Sequence, residues 1–204
     1  MDSFAIAASL LFAALQPVPE LPPASRAAGP LRPVEPSPPP APAASAAKSD
    51  PRAGVDALLG TRDGAVSPAQ WRKLGPGAGP ILEEIALDEG ALSTRRARAI
   101  EGLSTLRTER SPALLTRLAQ AGDESFLVRL AAMRGAARTL PPARQLAALR
   151  PALEKATDVR LRAAAADLLS HSRANCAAVR EQSQREPAEM QPRFEASLRR
   201  CGSK

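Results

Sequence analysis

From about residue 54 onward, apolar positions recur at the spacing of amphipathic helices, broken by Pro and Gly. Ser67-Pro68 and Ser111-Pro112 each set a capping hydroxyl before a Pro suited to the first helical turn. Pro141-Pro142 opens a further segment, and Asp158 is placed to cap a helix beginning at Val159. Gly60, Gly90 and Gly122 follow apolar runs, where helix C-caps are expected. The pattern predicts helices over Pro80–Leu87, Pro112–Ala121 and Pro142–Ala156, each followed by a second helix containing 95–103, 128–136 and 159–167. Beyond His171 it predicts a hairpin: a helix over Ala174–Arg185, a turn over Glu186–Gln191 and a helix over Pro192–Cys201. The fold class expected is all-α.

The three second helices share a register. Arg96, Arg129 and Arg160 align, as do Ala99, Ala132 and Ala163, and the small residues Gly102, Gly135 and Ala166. The offsets are 33 and 31 residues, and Pro80, Pro112 and Pro142 precede the aligned Ala by 19, 20 and 21. Two helices per period of this length are the signature of stacked helix pairs, each too small to be stable alone. Small residues are expected where helices approach closely. The aligned Arg side chains are expected to donate to carbonyls or carboxylates of the adjacent repeat.

Val128-Arg129-Leu130-Ala131-Ala132 and Val159-Arg160-Leu161-Arg162-Ala163 carry a Val-Arg-x-x-Ala motif. In this the chain resembles the HEAT-repeat family in its short bacterial form, over about residues 74–172. The first repeat departs from the motif with Arg95 in place of Val, and the third with Asp167 where Leu is usual. The resemblance implies a short right-handed α-solenoid of about three helix pairs over residues 54–173, capped by a helical hairpin over 174–204. It also implies a concave surface lined by the second helices. Helical-wheel arithmetic places Arg98, Glu101 and Thr105 opposite Ala99, then Ala131, Arg134 and Arg138, then Arg162 and Ala165. Arg98, Glu101, Arg134, Arg138 and Arg162 would thus form a mainly basic stripe facing an acidic protein partner. A merely solvated face is the competing interpretation.

Residues 4–15 are apolar or small and uncharged, too short for the ~20 residues of a membrane span but suited to the core of an export signal. Residues 1–15 are therefore expected to act as a signal segment, although Met1-Asp2-Ser3 supplies no basic residue. No Cys follows the run, so no lipid anchor is expected. Twelve of the 21 prolines lie between Pro17 and Pro51. That density removes backbone donors and fixes φ, so residues 16–53 are expected to be a disordered, polyproline-like linker. The location expected is periplasmic or extracellular.

Composition narrows the chemistry. Ala, Arg and Pro number 43, 24 and 21 of the 204 residues; there is no Tyr, one Trp and one His. The net charge of +7 is dispersed along the chain, with only four Lys, which fits GC-rich codon usage as well as an anionic partner. Cys176 and Cys201 lie symmetrically about position 188.5, the centre of the expected hairpin turn, and are geometrically ready to form a disulfide; two free buried thiols are the alternative. No zinc site can be assembled from two Cys and the isolated His171. Gly75-Pro76-Gly77-Ala78-Gly79 lacks the Lys-Ser/Thr of a phosphate loop, and Glu83 and Glu84 diverge on a helix. Trp71 is expected to anchor an N-terminal cap. No cofactor, metal or small-molecule substrate is expected, and no catalytic residue. The function expected is a non-catalytic scaffold for protein–protein interaction in the bacterial envelope. Two alternatives follow from the resemblance. One is a DNA-binding protein like the glycosylase-type solenoids, which need aromatic and acidic residues at a base pocket; Trp71 and Phe126 are present, with no convincing acid between them. The other is a lyase-type subunit, for which no specific residue speaks.

Overall fold

A computed structural model describes residues 50–61 and 65–203. Ten α-helices follow one another among these residues: α1 (Pro51–Leu59), α2 (Pro68–Lys73), α3 (Ala78–Leu87), α4 (Ser93–Leu106), α5 (Ser111–Gln120), α6 (Phe126–Thr139), α7 (Pro142–Lys155), α8 (Val159–Ser170), α9 (Cys176–Arg185) and α10 (Glu195–Gly202). The described residues contain no strand, and no helix among them is long and apolar enough to cross a membrane. The signal-like segment 1–15 and the Pro-rich segment up to residue 49 lie outside the described residues. Helix begins at Pro51, three residues before the expected start, because Asp50 accepts from the Arg52 amide and Pro51 fits the first turn.

Local chemistry explains most boundaries. Ser67 and Gln70 form a reciprocal capping box on α2. Ser125 accepts from the Val128 amide at α6, and Asp158 from the Arg160 amide at α8. Ser111 differs from expectation. It is already inside α5, fully buried, and its hydroxyl donates to the Leu103 carbonyl instead of capping. Gly60 caps α1, but α3 and α5 end on extended Asp88 and Ala121, so Gly90 and Gly122 lie in the connecting turns. The C-terminal hairpin is also modified. A 3₁₀ turn over Arg173–Asn175 precedes α9, and another over Gln191–Phe194 delays α10 to Glu195.

Helices α3 and α4, α5 and α6, and α7 and α8 pack as consecutive pairs; α4 packs on α6, α6 on α8, and α5 on α7. One core runs through them, with Leu82, Ile100, Leu103, Leu115, Met133, Leu149, Leu153 and Leu169 fully buried. Each such burial contributes roughly 1.5–3 kcal/mol before entropy is counted. Close approach is set by the aligned small residues. A Cβ on Gly102 would stand 2.9 Å from Leu82 Cδ1 and 3.1 Å from the Trp71 ring; one on Gly135 would stand 2.8 Å from Leu115 Cδ2. Ala99 and Ala132 are fully buried, whereas Ala163 is only half-buried. Trp71 is 2 % exposed against the Gly102 backbone, as expected of an anchor.

Pro151 stands inside α7. It has no N–H to give the Ala147 carbonyl four residues earlier. The Gln120 side chain of α5 takes that role, donating Nε2 to the Ala147 and Ala148 carbonyls at 3.2 and 3.3 Å. The interruption in α7 is thereby satisfied by the neighbouring helix pair.

Candidate functional site

The aligned arginines diverge in role. Arg96 is buried at 6 % exposure. Its Nε donates to the Ala86 carbonyl at 3.1 Å, and its terminal nitrogens clasp Glu124 at 2.5 and 2.9 Å. Glu124 immediately precedes the Ser125 cap of α6, so Arg96 ties one helix pair to the next, as expected. Arg160 does otherwise. Its carboxylate partner is Asp158 of its own helix cap, at 2.7 Å, and it reaches the preceding pair only through the Phe126 ring, 4.4 Å from the guanidinium carbon to the centroid. The hydrogen bond from Arg160 holds the Asp158 carboxyl below its ordinary pKa. Arg129 is 7 % exposed and its Nε has no acceptor.

The five residues of the expected basic stripe do not share one open face. Arg98 donates Nη1 to the carbonyls of Leu59, at 3.1 Å, and Thr61, at the C-terminal end of α1. Arg162 holds Glu186 through Nε and Nη2 at 2.6 and 2.7 Å, and gives Nη1 to the Ala156 carbonyl beyond α7 at 2.7 Å. Arg98 and Arg162 thus do the same work, placing positive charge against the carbonyl end of an earlier helix. Arg138 donates to Ser104 Oγ at 2.6 Å. Glu101 is half-buried, and its carbonyl accepts from Ser104 and Thr105. Ala131 and Ala165, assigned to the same stripe, are buried. The reason is packing: α6 touches α4, α5, α7 and α8, leaving it only a narrow strip of surface.

Glu186 is the most buried carboxylate of the set, its side chain 2 % exposed. Gln182 adds a third donor at 2.8 Å. The hydrogen bonds from Arg162 hold the Glu186 carboxyl below its ordinary range, and the same contact raises Arg162. This pair fastens the start of α8 to the end of α9.

Arg134 and Arg138 do meet in one place. With Ala137, Gln145, Leu168 and His171 they line a cleft of about 300 Å³ between α6, α7 and the end of α8. Arg134 is exposed. No carboxylate lines the cleft, so its charge suits an anion. The sequence pattern placed Arg134 and Arg138 on one face but did not connect them with His171, which α8 delivers from 33 residues beyond Arg138. A larger hollow of about 740 Å³ lies where the α2–α3 turn meets the end of α4 and the start of α5. Its charges are mixed, Arg72 and Arg110 with Glu83 and Glu109, and Glu83 accepts from Thr108 Oγ1 at 3.1 Å. It shows no preference for one sign of ligand.

Cys176 and Cys201 form a disulfide pair with Cα atoms 5.5 Å apart and 25 residues of separation. Arg180 supports it by donating to the Cys201 carbonyl at 2.8 Å, and Arg200 reaches back to Asp167 on α8 at 2.8 Å. Among the described residues no group of three or more His, Cys, Asp or Glu could hold a metal ion. No family model, no curated protein and no solved structure matches the chain.

Proposed function

We propose that this chain is an exported, non-catalytic scaffold of HEAT-like helix pairs that binds an acidic protein partner in the bacterial envelope. The observation that carries the proposal is the carboxylate-free cleft in which Arg134 and Arg138 stand beside His171. Three features support it. The helix pairs recur at the 31–33-residue spacing of the aligned motif. Each pair packs on the next. The Cys176–Cys201 pair suits an oxidising compartment. Rim charges of this kind steer an opposite partner more than they fix its affinity.

The test is crosslinking and pull-down from the native envelope fraction with the full chain, compared with Arg134→Glu. Arg134 is exposed and its side chain has no hydrogen bond or ion pair among the described residues, so the fold is expected to persist. Loss of the crosslinked partner from the variant supports the proposal. An unchanged set of partners refutes the cleft as the interface. Cytoplasmic retention with salt-sensitive binding to duplex DNA refutes the envelope scaffold as a whole.

A further inference from the structure

Arg96 and Arg129 occupy the same register of successive second helices, 33 residues apart. Both are buried, at 6 % and 7 % exposure. Arg96 is fully engaged: a carbonyl on Nε and the Glu124 carboxylate across both terminal nitrogens. The residue 33 positions beyond Glu124 is Thr157, which immediately precedes the Asp158 cap of α8 as Glu124 precedes the Ser125 cap of α6. Thr157 has no carboxylate to offer. Asp158, the next residue, is committed to the Arg160 amide and guanidinium at 2.8 and 2.7 Å. Arg129 is left with no hydrogen bond and no ion pair among the described residues, and its Nε is sealed from water without an acceptor. A sealed donor of this kind is costly, because burial removes the hydration of Nε and nothing replaces it, whereas the terminal nitrogens are not sealed in this way.

We infer that Arg129 is an open carboxylate slot between the second and third helix pairs, filled by an Asp or Glu side chain of the acidic partner. The chain contains its own template for the filled state in the Arg96–Glu124 clasp. The fork of a guanidinium matches a carboxylate in two parallel bonds, which a single carbonyl ligand does not reproduce. The inference rests on the acidic-partner proposal for the chemistry of its ligand, but it uses a different part of the surface. Arg134 lies five residues further along α6, on another side of the helix.

The probe is a hexaglutamate peptide, with hexaglutamine as control, titrated into ¹⁵N-labelled full-length protein. The readout is the Nε–H resonance of Arg129, assigned by its disappearance in Arg129→Met. Hexaglutamate is expected to shift this resonance saturably and hexaglutamine is not. The shift should persist in an Arg134→Gln background, which separates the slot from the cleft. Thr157→Glu places an internal carboxylate where Glu124 sits in the first pair. It should move the resonance without peptide and weaken the hexaglutamate response about tenfold or more, equivalent to ~1.4 kcal/mol. A resonance unmoved by hexaglutamate overturns the inference. So does a Thr157→Glu variant that is folded and still responds like the wild type. Failure of the envelope pull-down would leave both of these readouts intact, so the two proposals fail separately.

Discussion

The Arg162–Glu186 pair offers the sharpest test of how the C-terminal hairpin is held. In Glu186→Gln the carboxylate charge disappears, but the shape and one acceptor remain. Arg162, whose side chain is 17 % exposed, keeps the Ala156 carbonyl and loses its counter-charge. Breaking a buried pair from one side costs about 3–5 kcal/mol, and the retained amide oxygen argues for the lower end. A loss of about 3 kcal/mol lowers the midpoint by roughly 6–12 °C in a domain of this size. Removing both charges together, as Arg162→Met with Glu186→Leu, should cost much less than the sum of the single changes, because no isolated charge is left behind. The acid dependence carries a sign. The Glu186 carboxyl is depressed in the folded state by the Arg162 hydrogen bonds. Its contribution is therefore complete above the unfolded value of about 4.3 and fades as pH falls through the lower folded value. Urea unfolding, followed by far-UV circular dichroism and Trp71 fluorescence between neutral pH and pH 3, measures both effects. A change under about 0.5 kcal/mol in Glu186→Gln, within the range of ordinary surface substitutions, would refute the assignment of Glu186 as a buried tie. So would an acid slope identical to the wild type.

Three further outcomes follow from packing, a helix interruption and the crosslink. Gly135→Ala should destabilise by about 1–3 kcal/mol through overpacking, since its new Cβ meets Leu115 at 2.8 Å and Ser104 at 3.2 Å; Gly122→Ala, with nothing within 4 Å, should be neutral or slightly stabilising in the same denaturation assay. Gln120→Ala should cost about 1 kcal/mol by orphaning the Ala147 carbonyl, which has no amide donor at Pro151. In a Pro151→Ala background, where an amide is restored to α7, a smaller cost is expected, and equal costs would dismiss the coupling. Reduction of Cys176–Cys201, or Cys176→Ser with Cys201→Ser, should lower stability by about 3.5 kcal/mol for a loop of this size. Thiol titration of never-reduced protein should find none free, and a reduced form as stable as the oxidised one would exclude a stabilising role.

Much of the fold was legible from residues alone because its signals are local. Pro68, Pro112 and Pro142 sit in first turns, Ser67 and Asp158 cap as expected, and the second helices α4 and α6 have equal length in equal register. The disulfide pair was legible because two residues equidistant from a turn meet across a hairpin. Ser111 misled because a Ser before Pro can cap or be buried, and the choice depends on whether a neighbouring carbonyl, here Leu103, is within reach. The surroundings of the basic stripe were not legible for a similar reason. A helical wheel knows one helix, and α6 has four neighbours.

The sequence by itself therefore determined what depends on nearby residues: an all-helical chain, its punctuation and the positions of its small contact residues. Tertiary structure alone decided the fate of each charge. Arg96, Arg129 and Arg160 align in the sequence motif, yet Arg96 and Arg129 are the fourth residues of α4 and α6 and Arg160 only the second of α8; one is clasped, one is buried without a partner and one lies on a ring. The difference comes from residues about thirty positions away, Glu124 or Thr157, and from which helix ends face each guanidinium. An arginine's role is set by the acceptor opposite it, and that acceptor is chosen by packing.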